Sequence, residues 1–337
     1  MKHSRKTLLR AALAGALAAT LATGWGPALA QGSAAAGAFP NKPVKIIVPF
    51  TAGGLADNLA RGIAQELGRD WGQPVVVENR RGGNTIIAAH ATAKSPADGY
   101  TLMLANDPTM SSNQYLYIKL PYDPAKDLVP GINVAETLEV LVAGPAFKGR
   151  SLADLVAQAK ARPGEVSYGT YGLGNKAHID AEAFAKETGV KLMHVPYKGV
   201  ADVVPALVGG QVQIAFTGVP PVVQVVKSGQ LRAIAVAAPK RSAMLPDVPT
   251  FAEVGMPGFQ SSAWFGLVAP AGTPRAVIDK VAADVGRVIV KPEFQARYIT
   301  GVGLELLNQG PDAFEQFLKK DRASYASYIK ELGVKLD

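Results

Sequence analysis

The chain has 337 residues, 48% of them hydrophobic, a formal charge of +8 and no cysteine. Without cysteine there is no disulfide, thiolate metal site, cysteine nucleophile or lipid-bearing cysteine. The basic residues form no run interleaved with aromatics, which argues against a nucleic-acid partner.

The first thirty residues read as a secretory signal. Lys2, Arg5, Lys6 and Arg10 make a basic start. Leu8 to Leu21 is apolar but too short to span a bilayer, and Ala28-Leu29-Ala30 is a small-residue cleavage site. Cleavage after Ala30 removes four of the 35 basic residues and none of the 27 acidic ones, leaving +4. So mild a charge fits ordinary solubility or weak steering of anions. Residues 31–39 form a flexible leader. The remaining stretch, about 300 residues, is more than one core usually fills, so two lobes are expected. The destination is the periplasm, as a free protein.

Val44–Val48 is a β-branched run and reads as a buried strand. The loop Phe50-Thr-Ala-Gly-Gly54 then leads into a helix over Asp57–Leu67, with Leu59, Ile63 and Leu67 on one face. Strand Val75–Glu78, helix Thr85–Lys94 and strand Tyr100–Leu104 follow. This βαβαβ opening implies a parallel sheet. Val129–Val134 and Leu138–Ala143 are two further apolar runs. Ser151 caps a helix, with Asp154 three residues on and Pro163-Gly164 ending it.

A second alternating series runs from strand Val166–Tyr168 to helix Lys176–Thr188, then strand Leu192–Val195 and helix Ala201–Val208. Strand Gln213–Phe216, helix Pro220–Lys227 and strand Ala233–Val236 complete it. The proline-rich stretch Pro239–Phe259 reads as a surface wrap with a short helix at Thr250–Val254. Strand Ala263–Ala269 comes next. Thr273 caps and Pro274 starts a helix reaching Val290. Helix Pro292–Thr300, strand Leu304–Leu307 and helix Pro311–Leu332 finish the chain, with Gly333 behind the last helix. The final third should pack back on the first unit.

Two strand–glycine loop–helix turns stand out, at Val44–Asp57 and Val166–His178. A helix N-terminus offers free N–H groups and a partial positive charge, and glycine lets the backbone approach a ligand. Gly172-Leu-Gly-Asn-Lys-Ala177 satisfies the dinucleotide pattern G-x-G-x-x-A. The next strand ends Val195-Pro-Tyr-Lys-Gly199, with no carboxylate until Asp202, so the nucleotide context fails. A structural turn and a small-anion holder remain. Gly53-Gly54 lacks the Lys-Ser/Thr of a phosphate loop. Asp57 either favours the helix start or stands at a cleft, holding a water or the loop. His90, His178 and His194 have no i+3 or i+4 partner of the kind a helical metal site shows. No metal, cofactor or catalytic residue is expected. His178, in the first turn after the glycine loop, could face a ligand, whereas His90 and His194 read as packed or surface residues. The two turns together suggest a cleft that closes on a small carboxylate.

From Phe39 to Asp337 the chain resembles the Bug-type extracytoplasmic solute receptors of the tripartite tricarboxylate transporter family. The resemblance rests on Pro43-Val-Lys-Ile-Ile-Val-Pro-Phe-Thr-Ala-Gly-Gly54 with Asp57 and Arg61, Val75-Val-Val-Glu-Asn-Arg80, and Pro96-Ala-Asp-Gly-Tyr-Thr-Leu102. It continues through Leu120-Pro-Tyr-Asp123, the Tyr168–His178 loop, His194-Val-Pro-Tyr-Lys-Gly199 and Leu207-Val-Gly-Gly-Gln211. Leu245-Pro-Asp-Val-Pro-Thr250 and Trp264-Phe-Gly-Leu-Val-Ala-Pro-Ala-Gly-Thr-Pro274 complete it.

The resemblance implies an α/β, two-lobed periplasmic binding protein fold of type II character, with the ligand between the lobes. Lobe one would be residues 40–142 plus 264–337, and lobe two 143–263. The lobes would be joined by strands near Leu141–Gly144 and Ala263–Ala269. It further implies a monomeric receptor without chemistry of its own, which delivers a small organic carboxylate to membrane permease subunits. A signalling co-receptor and an exported enzyme are the alternatives. The ligand-facing set would be Phe50, Thr51, Gly53, Gly54 and Asp57 in the first loop and Thr109 after the third strand. Gly169, Thr170, Gly172, Asn175 and His178 would serve from the second loop, with Thr217 beyond. Lys176 reads as a less certain contributor, a solvated charge at the helix start being the alternative. The chain departs from the family at Leu55-Ala56, where many members have Pro-Thr, and at Asn84 and Ala88. Asn175 stands for a common Ser, and Thr217-Gly218 for a common Asp-Asn.

Overall fold

The computed structural model describes residues 39–197, 200–333 and 335. The signal, nearly all of the leader and Lys198-Gly199 of the His194–Gly199 motif lie outside the described residues.

β1 (Val44–Val48) buries Ile46 and Val48 completely and pairs in parallel with β2 (Val75–Asn79) and β3 (Thr101–Ala105). The crossovers carry α1 (Leu55–Trp71) and α2 (Ile86–Ala93). α1 runs past the expected Leu67 and stops where Gly72 turns left-handed at φ 62°. After β3 a widened helical turn, Pro108–Ser112, continues as the short α3 (Asn113–Leu116).

The two apolar runs expected at 129–134 and 138–143 are one strand, β4 (Leu128–Ala143). Bulges between Pro130 and Ile132 and between Asn133 and Ala135 absorb the irregular register without ending the pairing. β4 pairs antiparallel with β9 (Ser262–Pro270) as far as Leu138. From Glu139 to Ala143 it pairs instead with β7 (Ile214–Gly218), and from Val140 with β8 (Arg232–Val236). Beyond β4, β5 (Ser167–Thr170) runs parallel to both β7 and β6 (Met193–Pro196). The strand order is β2-β1-β3-β9-β4-β7-β5-β6, with β10 (Leu304–Gln309) and β8 also on β4. Thus β4 belongs to two strand groups and changes partners at Leu138–Glu139.

The second group carries α4 (Leu152–Ala161), α5 (Lys176–Thr188), α6 (Val200–Val208) and α7 (Val223–Lys227). α8 (Arg275–Ile289), α9 (Pro292–Tyr298) and α10 (Pro311–Leu332) follow β9, and α8 and α10 pack on β4. Ser151 and Asp154 form the expected reciprocal cap on α4. The second core is aromatic: Phe184, Phe216, Phe251 and Phe259 lie with ring centroids 4.5–6.4 Å apart. Truncating one such ring, as in Phe216→Ala, costs about 3–5 kcal/mol.

Three local expectations are corrected. Thr250–Val254 is a turn, not a helix. Thr250 and Glu253 do exchange capping bonds, but Gly255 at φ 97° and Pro257 allow no further helical turn. Thr273 does not cap α8: its hydroxyl donates to the Pro270 carbonyl at 2.7 Å, and Pro274 takes the cap position. The helix expected from Pro220 begins as a tight turn, Pro220–Val222, before α7.

Candidate functional site

Both glycine loops stand at C-terminal ends of parallel strands, where open α/β sheets bind their ligands. The first follows β1. Gly53 has φ 82°, a conformation that favours glycine, and its N–H donates to Asp57 Oδ2 at 2.8 Å. Arg61 Nε binds the same oxygen at 2.8 Å, and Asn79 Nδ2 donates to Oδ1 at 2.8 Å. Asn79 also reaches the Phe50 carbonyl at 3.1 Å and accepts from Arg61 at 3.0 Å. Asp57 is therefore the internal tie of this loop, only 1% exposed. Burial pushes its pKa up, but the bonds from Arg61, Gly53 and Asn79 outweigh burial and hold it below the ordinary value. Thr51, Gly53 and Gly54 are exposed, and Phe50 meets Phe265 edge-on at 6.4 Å. No side chain caps α1, so its first-turn amides keep their donor capacity.

Thr109 lies in the widened turn after β3 and is fully buried. Its hydroxyl bonds Asn106 Oδ1 at 2.9 Å and Thr85 Oγ1 at 3.0 Å. These bonds make Thr109 part of the frame behind the loop.

The second loop is built more tightly. Thr170 Oγ1 donates to the Gly172 carbonyl at 3.0 Å and contacts His194 Nε2 at 2.7 Å. A hydroxyl has one proton, so His194 Nε2 carries the proton in the second bond. Thr170 thus holds the loop and has no proton left for a ligand. Gly172 and Gly174 have φ 137° and 68°, and a Cβ on Gly174 would collide with Leu116. Gly169 is buried, and a Cβ there would press on Val212 at 3.1 Å. The Gly174 N–H donates to His178 Nδ1 at 3.0 Å, which leaves the His178 proton on Nε2. His178 and His194 stack at 4.2 Å, and Tyr168 stacks on His194 at 4.9 Å. Tyr168 in turn donates to Glu182. Burial lowers both histidine pKa values, His194 to about 4 with help from His178, so both rings are neutral at pH 7. His194, expected to be a packed or surface residue, is packed into this loop.

Asn175 caps α5, its Oδ1 accepting the His178 N–H at 3.0 Å. Its Nδ2 is buried and has no protein partner, and the same holds for Thr217 Oγ1 near the end of β7. A buried polar atom left unpaired costs about 1–3 kcal/mol, so such atoms are normally met by something. Of the twelve residues expected to face a ligand, Asn175 and Thr217 alone carry such atoms.

Behind the second loop lies a charged cluster that sequence reasoning missed, with Asp107, Glu139 and Asp180 buried and Lys176 and Asp321 partly so. Lys176 Nζ bonds Asp180 Oδ1 at 2.6 Å, and Asp180 Oδ2 accepts from Ser261 at 2.7 Å. Glu139 of β4 is buried, with Oε2 unpaired. Asp107 accepts from Tyr325 at 2.9 Å, and Asp321 accepts from Ser111 at 2.5 Å and Trp264 at 3.2 Å. Burial, then repulsion from Asp321, pushes Asp107 up to about 7. Burial, then Asp180, raises Glu139 well above the carboxylate range. Burial lowers Lys176, but the carboxylates outweigh it and keep the ammonium charged. Two signals were available: a carboxylate inside the apolar run 138–143, and the i,i+4 spacing of Lys176 and Asp180. Among the described residues, no group of three or more His, Asp or Glu could hold a metal.

A family model described as the tripartite tricarboxylate transporter family receptor matches residues 59–334. The chain is 38% identical to protein BugT of Bordetella pertussis over 299 residues, 88% of this chain and 91% of that one. An R. palustris protein solved with adipate superposes with a TM-score of 0.79 at 33% identity, covering 88% of this chain and 99% of that one. MatC from Rhodopseudomonas palustris, solved with bound malate, gives 0.76 at 30% identity, covering 86% and 100%. The fold is the α/β periplasmic binding protein fold, two lobes around a cleft, as the resemblance implied.

Proposed function

We propose that this chain, which belongs to the tripartite tricarboxylate transporter receptor family, captures a small organic carboxylate in the periplasm and delivers it to a membrane permease. Family members are periplasmic solute-binding proteins, and two solved relatives carry the dicarboxylates adipate and malate. Export would follow from the signal, with cleavage after Ala30. The lobes would be residues 40–142 plus 264–337 and residues 143–263. The pairing change at Leu138–Glu139 suggests that the first crossing comes slightly early in that scheme.

The observation that carries this reading is the second loop. Its helix N-terminus, the buried unpaired Asn175 Nδ2 and the neutral His178 concentrate donor capacity at one strand end. On the opposite side the first-turn amides of α1 would face the same anion. Phe50, Thr51, Gly53 and Gly54 would line that side. Asp57, Thr109, Gly169, Thr170 and Gly172 would shape the two loops, and Thr217 would add a hydroxyl. Oriented dipoles and hydrogen bonds would hold the charge, with no bond made or broken in the ligand.

A melting experiment tests the reading. Adipate or malate at a hundred times its dissociation constant should stabilise the fold by about 2.7 kcal/mol, a shift of about 5 °C. The dimethyl esters should give little shift, because they lose the charge-assisted bonds. Esters that stabilise as well as the acids would remove the anion-holding mechanism.

A further inference from the structure

Lys176, a largely buried cation behind the second loop, is not among the groups assigned to the carboxylate above, and its surroundings are unusual. Lys176 directly follows the helix cap Asn175 and turns back along α5 to Asp180. Through Asp180 it reaches Ser261, next to the start of β9. Its ammonium lies 5.8 Å from the ring of Tyr325 on α10, whose hydroxyl binds Asp107. Beside it Ile179 of α5 packs with Leu116 of α3 and with Tyr325 and Ile329 of α10. The second loop, the partner-changing strand and the C-terminal helix therefore meet around one lysine.

We propose that Lys176 is the positioning residue that lets the cleft close, by supplying the positive charge that Asp180, Glu139 and Asp107 share at a junction crowded with carboxylates. This rests on the lobe assignment above, which puts α5 in one lobe and α3 and α10 in the other. The groups facing Lys176 are Asp180 on its own helix, Glu139 on β4, Asp107 after β3, and Asp321 and Tyr325 on α10. Tyr171 of the loop shares the field of these carboxylates, and Arg322 lies beside Asp321. Burying several carboxylates together is costly unless a cation or protons offset their charge. In the closed form Lys176 offsets part of it, and burial favours the protonated forms of Glu139 and Asp107. In the open form water would solvate each group separately. Closure without the ammonium must therefore take up an additional proton, which becomes harder as pH rises.

The chain has no cysteine, so Ile118→Cys and Met193→Cys place two spin labels at exposed sites, one in each proposed lobe. Inter-label distances are measured at pH 5 and pH 8. At pH 8, Lys176→Met should raise the open-to-closed ratio at least tenfold over the unsubstituted protein. At pH 5 the variant should return to the unsubstituted distribution, because protons replace the ammonium. Asp180→Asn added to Lys176→Met should restore closure at pH 8. Equal distributions with and without Lys176→Met at pH 8 would overturn the proposal. So would an opening that acid does not repair, because that is lost packing only. Should Lys176→Met fail to fold, Asp107→Asn alone should flatten the pH response of the unsubstituted protein, and an unflattened response overturns the proposal. Adipate and malate form a separate arm. Distances that ignore both acids count against the carboxylate reading, whereas the ligand-free pH comparison decides on Lys176.

Discussion

Asn175 has two duties on its two side-chain atoms, and substitution can separate them. Oδ1 caps α5, while Nδ2 is the buried donor without a protein partner. Asn175→Asp keeps the cap and replaces the donor with a carboxylate oxygen. Its ligand-free melting temperature should hold, while carboxylate affinity falls at least tenfold through lost donation and like-charge repulsion. Asn175→Ala should lose affinity and also about 1 kcal/mol of stability, because the cap goes too. Retained affinity in Asn175→Asp, read by calorimetry, would count against Nδ2 as a ligand donor. Thr217→Val is the companion test. Removing an unpartnered buried hydroxyl should leave the ligand-free stability unchanged or higher, with affinity alone reduced. At this scale the sequence marked Asn175 and His178 through their place at the start of a helix after glycines. It could not show that the Thr170 proton goes to Gly172, because that depends on His194 arriving from another strand. Nor could it show Lys176 largely withdrawn from solvent, with its side chain 14% exposed. A lysine in the first turn of a helix is ordinarily solvated, and only the tertiary fold brings Glu139 and Asp107 near it.

Elements with strong local signals were legible to within a residue or two. α5 and α10 have the expected bounds because caps and terminal glycines mark them. Ser151 and Asp154 were readable as a pair because both bonds are local. Ser151→Ala should lower stability by about 1 kcal/mol in a denaturant melt and leave ligand affinity unchanged. An affinity loss there would mean that α4 is coupled to the site. β4 was misread as two runs because its middle, Ala135-Glu136-Thr137, looks polar in sequence. That segment stays in the ladder because β9 and β10 pair with it from either side. The turn at 250–254 failed the other way, with genuine capping chemistry and no room for a helix behind it.

For the molecule as a whole, the buried carboxylates set the pH response. Asp107 holds its proton up to about 7 in the folded chain, but only to the ordinary aspartate value near 4 when unfolded. Between those values the folded state binds the extra proton, so its stability contribution is lost as pH rises through that window. Asp57 has the opposite sign: its pKa is lowered, so its contribution is present above the ordinary value and lost on further acidification. The melting temperature should therefore decline from pH 5 to pH 8, and Asp107→Asn should flatten that decline. A decline that persists unchanged in the variant would assign it to other groups.

The strand order also dictates a sequence of events during biosynthesis. β9 lies between β3 and β4, yet it leaves the ribosome after every strand of the second group. Once β3 is complete at Ala105, the first three strands therefore wait for their central neighbour until Ser262–Pro270 has been made, more than 150 residues later. The second group is contiguous apart from its share of β4 and can assemble while they wait. Sheets closed by such distant segments form slowly and expose unpaired edges meanwhile. Late completion of the central sheet leaves the facing edges of β3 and the first part of β4 without the one strand they share until β9 has been made.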